Sequence, residues 1–133
     1  MPAGTSPIFP QVPIIGTASL VSNTAVTART VISGTTGLTQ LTANSTNGTR
    51  IDAITCKGQG TTVATIMNVW INDGTNSYLY DEIALGAVTA NTTVASVSNT
   101  INYTNLTLPP TYRLFVSQQV SANVTTFAFG GTY

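Results

Sequence analysis

The chain has 133 residues, enough for one domain with a core of its own, and 42% of them are hydrophobic. Only 6% are charged, against about 25% in an average soluble domain, and four basic side chains (Arg29, Arg50, Lys57, Arg113) balance four acidic ones (Asp52, Asp73, Asp81, Glu82). This excludes the cationic cluster on which nucleic-acid affinity depends and leaves no basic stretch for an anionic lipid surface.

Thr, Asn and Ser supply most of the polar surface. Weak self-repulsion favours association. Lys and Glu are depleted at protein–protein interfaces, and Lys commonly protects exposed sheet edges. A chain with one Lys and one Glu is therefore expected to live in a permanent assembly, the alternative being a small soluble domain with an uncharged Thr/Asn surface. Cys56 is the only cysteine, so no intrachain disulfide forms, and the residue is expected to be a small core side chain. No charged region followed by an apolar run opens the sequence, and no apolar run approaches the length of about 18 residues needed to span a bilayer. The expectation is synthesis in a cytoplasm, with no membrane partner.

Residues 1–16 form a distinct segment. Pro2, Pro7, Pro10 and Pro13 interrupt any ladder or helix. Ile8, Phe9, Ile14 and Ile15 lie between or just after them, which is too apolar for a free tail. An extended arm is predicted, packed either on its own domain or on a neighbouring subunit or larger partner. A second unit, residues 17–133, reads as a β-sandwich domain.

From Thr17 the chain is Thr-rich and strand-like, with candidate strands at Ala18–Ser22, Val26–Ile32 and Leu38–Ala43. Arg50–Lys57 follows as a short strand. The strongest period-two pattern runs from Val63 to Ile71, with Val63, Thr65, Met67, Val69 and Ile71 on one face and Ala64, Ile66, Asn68 and Trp70 on the other. Asn72-Asp73-Gly74-Thr75-Asn76 reverses the chain, because Asn and Asp tolerate left-handed backbone angles and Gly adopts them freely. Tyr78–Leu85 returns, which makes a hairpin. Asp81 shares a parity with Leu79, Ile83 and Leu85, so it either faces solvent at a bulge or is buried and paired; a bulge near Asp81-Glu82 is the simpler reading. Further strands are predicted at Thr93–Tyr103, Tyr112–Ser117 and Asn123–Phe129, the first two separated by Pro109-Pro110. No segment carries a 3.6-residue apolar period. About eight or nine short strands predict an all-β, antiparallel β-sandwich; a jelly roll fits the count, and the sequence alone leaves other sandwiches open.

Little in the sequence points to chemistry. With no His, neither a Ser-His-Asp nor a Cys-His arrangement can form within the chain. Asp81 and Glu82 are adjacent, so on a regular strand they point to opposite faces. The Asn72–Asn76 stretch lacks the acidic run and closing Glu of a calcium loop. No catalytic, cofactor-binding or metal-ligating residues are assigned, and the chain is expected not to be an enzyme. Trp70, Tyr78 and Tyr80 suit packing first and sugar stacking second.

Several words in the sequence carry a resemblance. They are Asn47-Gly48-Thr49-Arg50-Ile51, Asn72-Asp73-Gly74-Thr75-Asn76, Glu82-Ile83, Leu108-Pro109-Pro110-Thr111-Tyr112-Arg113-Leu114 and Phe127-Ala128-Phe129-Gly130-Gly131-Thr132-Tyr133. In this order and spacing, over residues 47–133, the chain resembles small virion proteins of tailed bacteriophages, some of which are capsid cement, or decoration, proteins. Thr132 stands where such proteins often carry Asp, and residues 1–46 match poorly. The resemblance implies a jelly-roll or sandwich fold in a small homo-oligomer (dimer or trimer), bound to the major capsid protein on the outer surface of the virion. Ile8, Phe9, Ile14 and Ile15 are the expected capsid or intersubunit contacts. The alternative reading is a tail or head-fibre module that binds host carbohydrate.

Overall fold

A computed structural model describes residues 12–21 and 23–133. Nine strands follow in order: β1 (Val12–Leu20), β2 (Ile32–Ser33), β3 (Thr39–Gln40), β4 (Thr49–Gly58), β5 (Thr65–Asn72), β6 (Asn76–Leu85), β7 (Ser98–Leu108), β8 (Arg113–Gln118) and β9 (Val124–Thr132). No helix occurs among the described residues, so none there is long and apolar enough to cross a membrane. The strands form two antiparallel sheets, one ordered β1-β9-β4-β7 and the other β2-β6-β5-β8-β3. The expected all-β antiparallel sandwich is the fold.

Alternation builds the core. Ile51, Ile54 and Cys56 of β4 and Val124 and Ala128 of β9 face Met67 and Val69 of β5, Ile83 of β6, and Leu114 and Val116 of β8, and all are buried. Cys56 is the expected core residue. Its thiol accepts a hydrogen bond from Thr126 Oγ1 at 3.7 Å, and burial pushes its pKa up to about 11.

The two sheets close on each other along both sides. On one side a side chain at Gly16 would run into the Leu41 carbonyl, so only a glycine lets β1 lie this close to the chain after β3. On the other, Tyr103 Oη donates to Asp81 Oδ2 at 2.7 Å, and Asn99 Nδ2 donates to the Ala84 carbonyl at 3.0 Å. Asp81 is therefore half-buried and paired instead of facing solvent, and the expected bulge lies beside it. The extra residue of the bulge is Tyr80, because Leu79 opposes Trp70 and Asp81 opposes Val69, and the Asp81 carboxylate is also paired.

Three departures from the sequence reading concern non-local pairing. Residues 12–16, read as part of the arm, are the first half of β1 and pair with β9 from Val12↔Thr132 to Gly16↔Ala128. β1 is a terminal strand of its sheet, the position where Pro13 removes no interior ladder bond. The rest of the arm, with Ile8 and Phe9, lies outside the described residues. Val26–Ile32 is not a strand; only Ile32–Ser33 pairs, against Ser77 and Asn76. Thr93–Ala95 belongs to a loop set by Asn91, whose Oδ1 accepts from the backbone of Thr93 and Val94, and β7 instead runs on to Leu108 through an irregularity opposite Asp52.

The segment 23–38 has another task. Val26 N donates to the Gln118 carbonyl, Arg29 Nε to Glu82 Oε1 at 2.6 Å, and Asn72 Nδ2 and Ser77 Oγ to the Gly34 carbonyl. These ties carry it across the outer face of the second sheet, where Trp70 is fully buried beside Phe115 and donates from Nε1 to Ser117 Oγ at 2.9 Å.

Candidate interaction surface

With the second sheet roofed by residues 23–38, the outer face of the β1-β9-β4-β7 sheet is the open one among the described residues. Side chains alternate across each strand. On β1, Ala18 and Leu20 point into the core and Ile15, Thr17 and Ser19 point out; on β9, Thr126 and Ala128 point in and Phe127 and Phe129 point out. The register then assembles an apolar strip across three strands. Phe129 lies between Ile15 on one side and Ala53 on the other, and Phe127 lies between Thr17 and Thr55. The Phe127 and Phe129 rings stack at 6.3 Å between centroids and 25° between planes. Ile15 is 65% exposed and Phe129 38%.

The surroundings of the strip are nearly neutral. Thr55 and Thr100 share a hydrogen bond between hydroxyls at 2.8 Å. Arg50 Nε lies 3.0 Å from Asp52 Oδ1, and Lys57 Nζ donates to the Ser96 carbonyl at 3.1 Å. Charge is thus spent locally at the margins, and the centre is apolar with hydroxyl neighbours. Such a face suits contact with another protein surface, since aromatic residues favour interfaces and Lys and Glu do not.

The two described members of the expected contact set divide between faces. Ile15 lies in the strip, opposite Phe129, while Ile14 pairs with Gly130 and turns towards the interior, half-buried. Ile8 and Phe9 lie outside the described residues. The residues that sequence reading missed are Phe127 and Phe129. Their shared parity was visible, but both faces of β9 carry apolar side chains, so nothing local showed which one is buried.

Other candidate residues separate. Trp70 offers no accessible ring face. Tyr78 and Tyr80 are 42% and 46% exposed on β6, with the Tyr80 ring 5.9 Å from that of Tyr103. Asp52 lies on β4 and Asp73 in the turn between β5 and β6. Asp73 Oδ1 accepts from the backbone of Thr75 and Asn76, and Asn72 Oδ1 from Gly74, so the Asn72–Asn76 stretch is a hairpin turn. Those backbone donors hold the Asp73 carboxyl below its ordinary value. No group of three or more His, Cys, Asp or Glu among the described residues could hold a metal ion. Comparison of the chain with protein-family models, with curated proteins and with solved structures finds no match.

Proposed function

We propose that this protein is a structural component of a tailed-bacteriophage virion, a cement or decoration protein that binds the outer surface of the capsid and holds subunits of the major capsid protein together. It would be made in the host cytoplasm and act on the assembled shell. The observation that carries the reading is the open Ile15–Phe129–Phe127 strip on a sandwich of very low charge. The ordered sequence words of residues 47–133 support it. The strand order is compatible with it: apart from the two-residue β2, a sheet β1-β9-β4-β7 facing β3-β8-β5-β6 is the order a jelly roll of the kind found in capsid and lectin domains would have. Fold alone does not imply function, so the strip bears the argument.

Fully burying an Ile or Phe side chain stabilises by about 1.5–3 kcal/mol. Covering the exposed 65% of Ile15 and 38% of Phe129 therefore contributes about 1.5–3 kcal/mol, or a factor of about 10–150 in Kd per site. The test uses shells of the encoding phage assembled without this protein. The intact chain is expected to bind in many copies spread over the shell and to raise the temperature at which the shell opens. Ile15→Ala/Phe129→Ala should lose binding by the stated factor while melting within a few degrees of the parent. Undiminished occupancy by the double variant, or a few copies at one vertex, overturns the reading. Deletion of residues 1–16 would remove half of β1, so a role for Ile8 and Phe9 is tested by removing residues 1–11 instead.

The second reading, a host-binding fibre module, has one observation in its favour: the exposed Tyr78 and Tyr80 rings. It predicts glycan binding that is lost in Tyr80→Ala. Loss in Trp70→Ala would report only on the fold.

A further inference from the structure

We propose that β7 is the seam of a two-fold homodimer in which the open sheets of two copies join edge to edge. Each sheet ends in two terminal strands, β1 and β7 in one and β2 and β3 in the other. Exposed edges offer unpaired backbone groups to any other strand, and proteins blunt them by shortness, proline or charge. β2 and β3 are two residues each, the stretch of β6 that β2 leaves uncovered carries Asp81 and Glu82, and β1 carries Pro13. β7 has none of these protections. It is eleven residues long, SNTINYTNLTL, with no Pro, no Gly and no charged side chain; among the described residues its only ladder partner is β4, and its ties to β6 run through the Asn99 and Tyr103 side chains. The irregularity opposite Asp52 bends its second half, but Ser98–Asn102 keeps regular register with Lys57–Ala53.

The occupant that fits this edge is a second copy of the same strand. Antiparallel pairing about Thr100 sets Thr100 against itself, Ser98 against Asn102, and Asn99 against Ile101. The outer row then matches hydroxyl and amide groups, the kind of pair that Thr55 and Thr100 already make within one chain. Ile101, only partly buried at the margin of the core, gains cover from the partner. No like charges meet, and an isologous contact needs only this one patch. The joined sheet has eight strands and carries two copies of the Ile15–Phe129–Phe127 strip on one side. On the capsid reading that makes binding bivalent and raises avidity without a new contact.

The dimer is tested without any capsid, so its failure and the failure of the capsid reading are separate results. Sedimentation equilibrium of the full chain at high micromolar concentration is expected to give twice the monomer mass. Thr100→Lys sets two ammonium groups side by side at the two-fold axis and should raise the dimer dissociation constant about a hundredfold or more. Thr107→Lys, also exposed on the same strand but beyond the seam, should leave it unchanged, and both should keep the parent melting temperature at concentrations low enough for the chain to be monomeric. Amides in Ser98–Asn102 should gain hydrogen-exchange protection as concentration rises. A monomer at every concentration, or an oligomer that Thr100→Lys leaves intact, overturns the proposal.

Discussion

Replacing Thr111 by glycine should make this protein more stable. Pro109-Pro110-Thr111-Tyr112 is a tight turn closed by Tyr112 N donating to the Pro109 carbonyl at 3.1 Å, and Thr111 sits at φ +75°. A type II turn places proline readily at its second position and demands positive φ at its third, where glycine is the usual residue. Among the described residues Thr111 is the only non-glycine residue with positive φ, and a β-branched side chain is the least suited to it. The left-handed conformation costs an L-residue about 1–2 kcal/mol. Glycine removes that strain and returns about 0.4–1 kcal/mol as extra freedom of the unfolded chain. Thr111 is exposed, so little packing is lost. The net expectation is a gain of about 0.5–1 kcal/mol. At the heat-denaturation entropy of a domain this size, that is a rise of about 2–4 °C in Tm. Calorimetry of the parent, Thr111→Gly and Thr111→Val decides the matter, with Thr111→Val expected to match the parent. A Tm in Thr111→Gly equal to or below the parent value would show that the turn is not strained, and that the reasoning from φ fails.

The opposite result is expected at Gly130. A Cβ there would overlap the Arg50 carbonyl across the β9–β4 ladder, so Gly130→Ala should destabilise by about 3 kcal/mol or more, read as a lowered denaturant midpoint; a loss below about 1 kcal/mol contradicts that close approach. The pH profile should show two flanks. Burial, and then the hydrogen bond to Asp81, raise the Tyr103 phenol above its ordinary value of 10.0. A raised acid contributes stability that is complete below its unfolded pKa and is lost as pH rises towards the folded one, so stability should fall above about pH 10 and fall less in Tyr103→Phe. On the acid side the lowered Asp73 carboxyl contributes stability above its unfolded pKa that disappears as pH drops through the folded value. Asp73→Asn should flatten that flank in urea titrations at successive pH values.

What the sequence by itself determined is local. Alternation named β4, the β5–β6 hairpin, β8 and β9, because a half-buried strand imposes its period on its own residues. The Asn72–Asn76 reversal was legible because the groups that cap it belong to the turn itself. Tertiary structure decided everything that depends on a distant partner. β1 reaches back to Val12 because β9, more than a hundred residues later, supplies a ladder that no local pattern announces. Val26–Ile32 has the composition of a strand yet spends itself roofing Trp70, whose burial the hairpin pattern could not distinguish from exposure. The same holds for the candidate contact surface. Both faces of β9 are apolar in sequence, and only the packing of the second sheet against Val124, Thr126 and Ala128 leaves Phe127 and Phe129 to the outside. A strand's pattern fixes which residues share a face, while the choice of the face that meets water is made by whatever packs on the other.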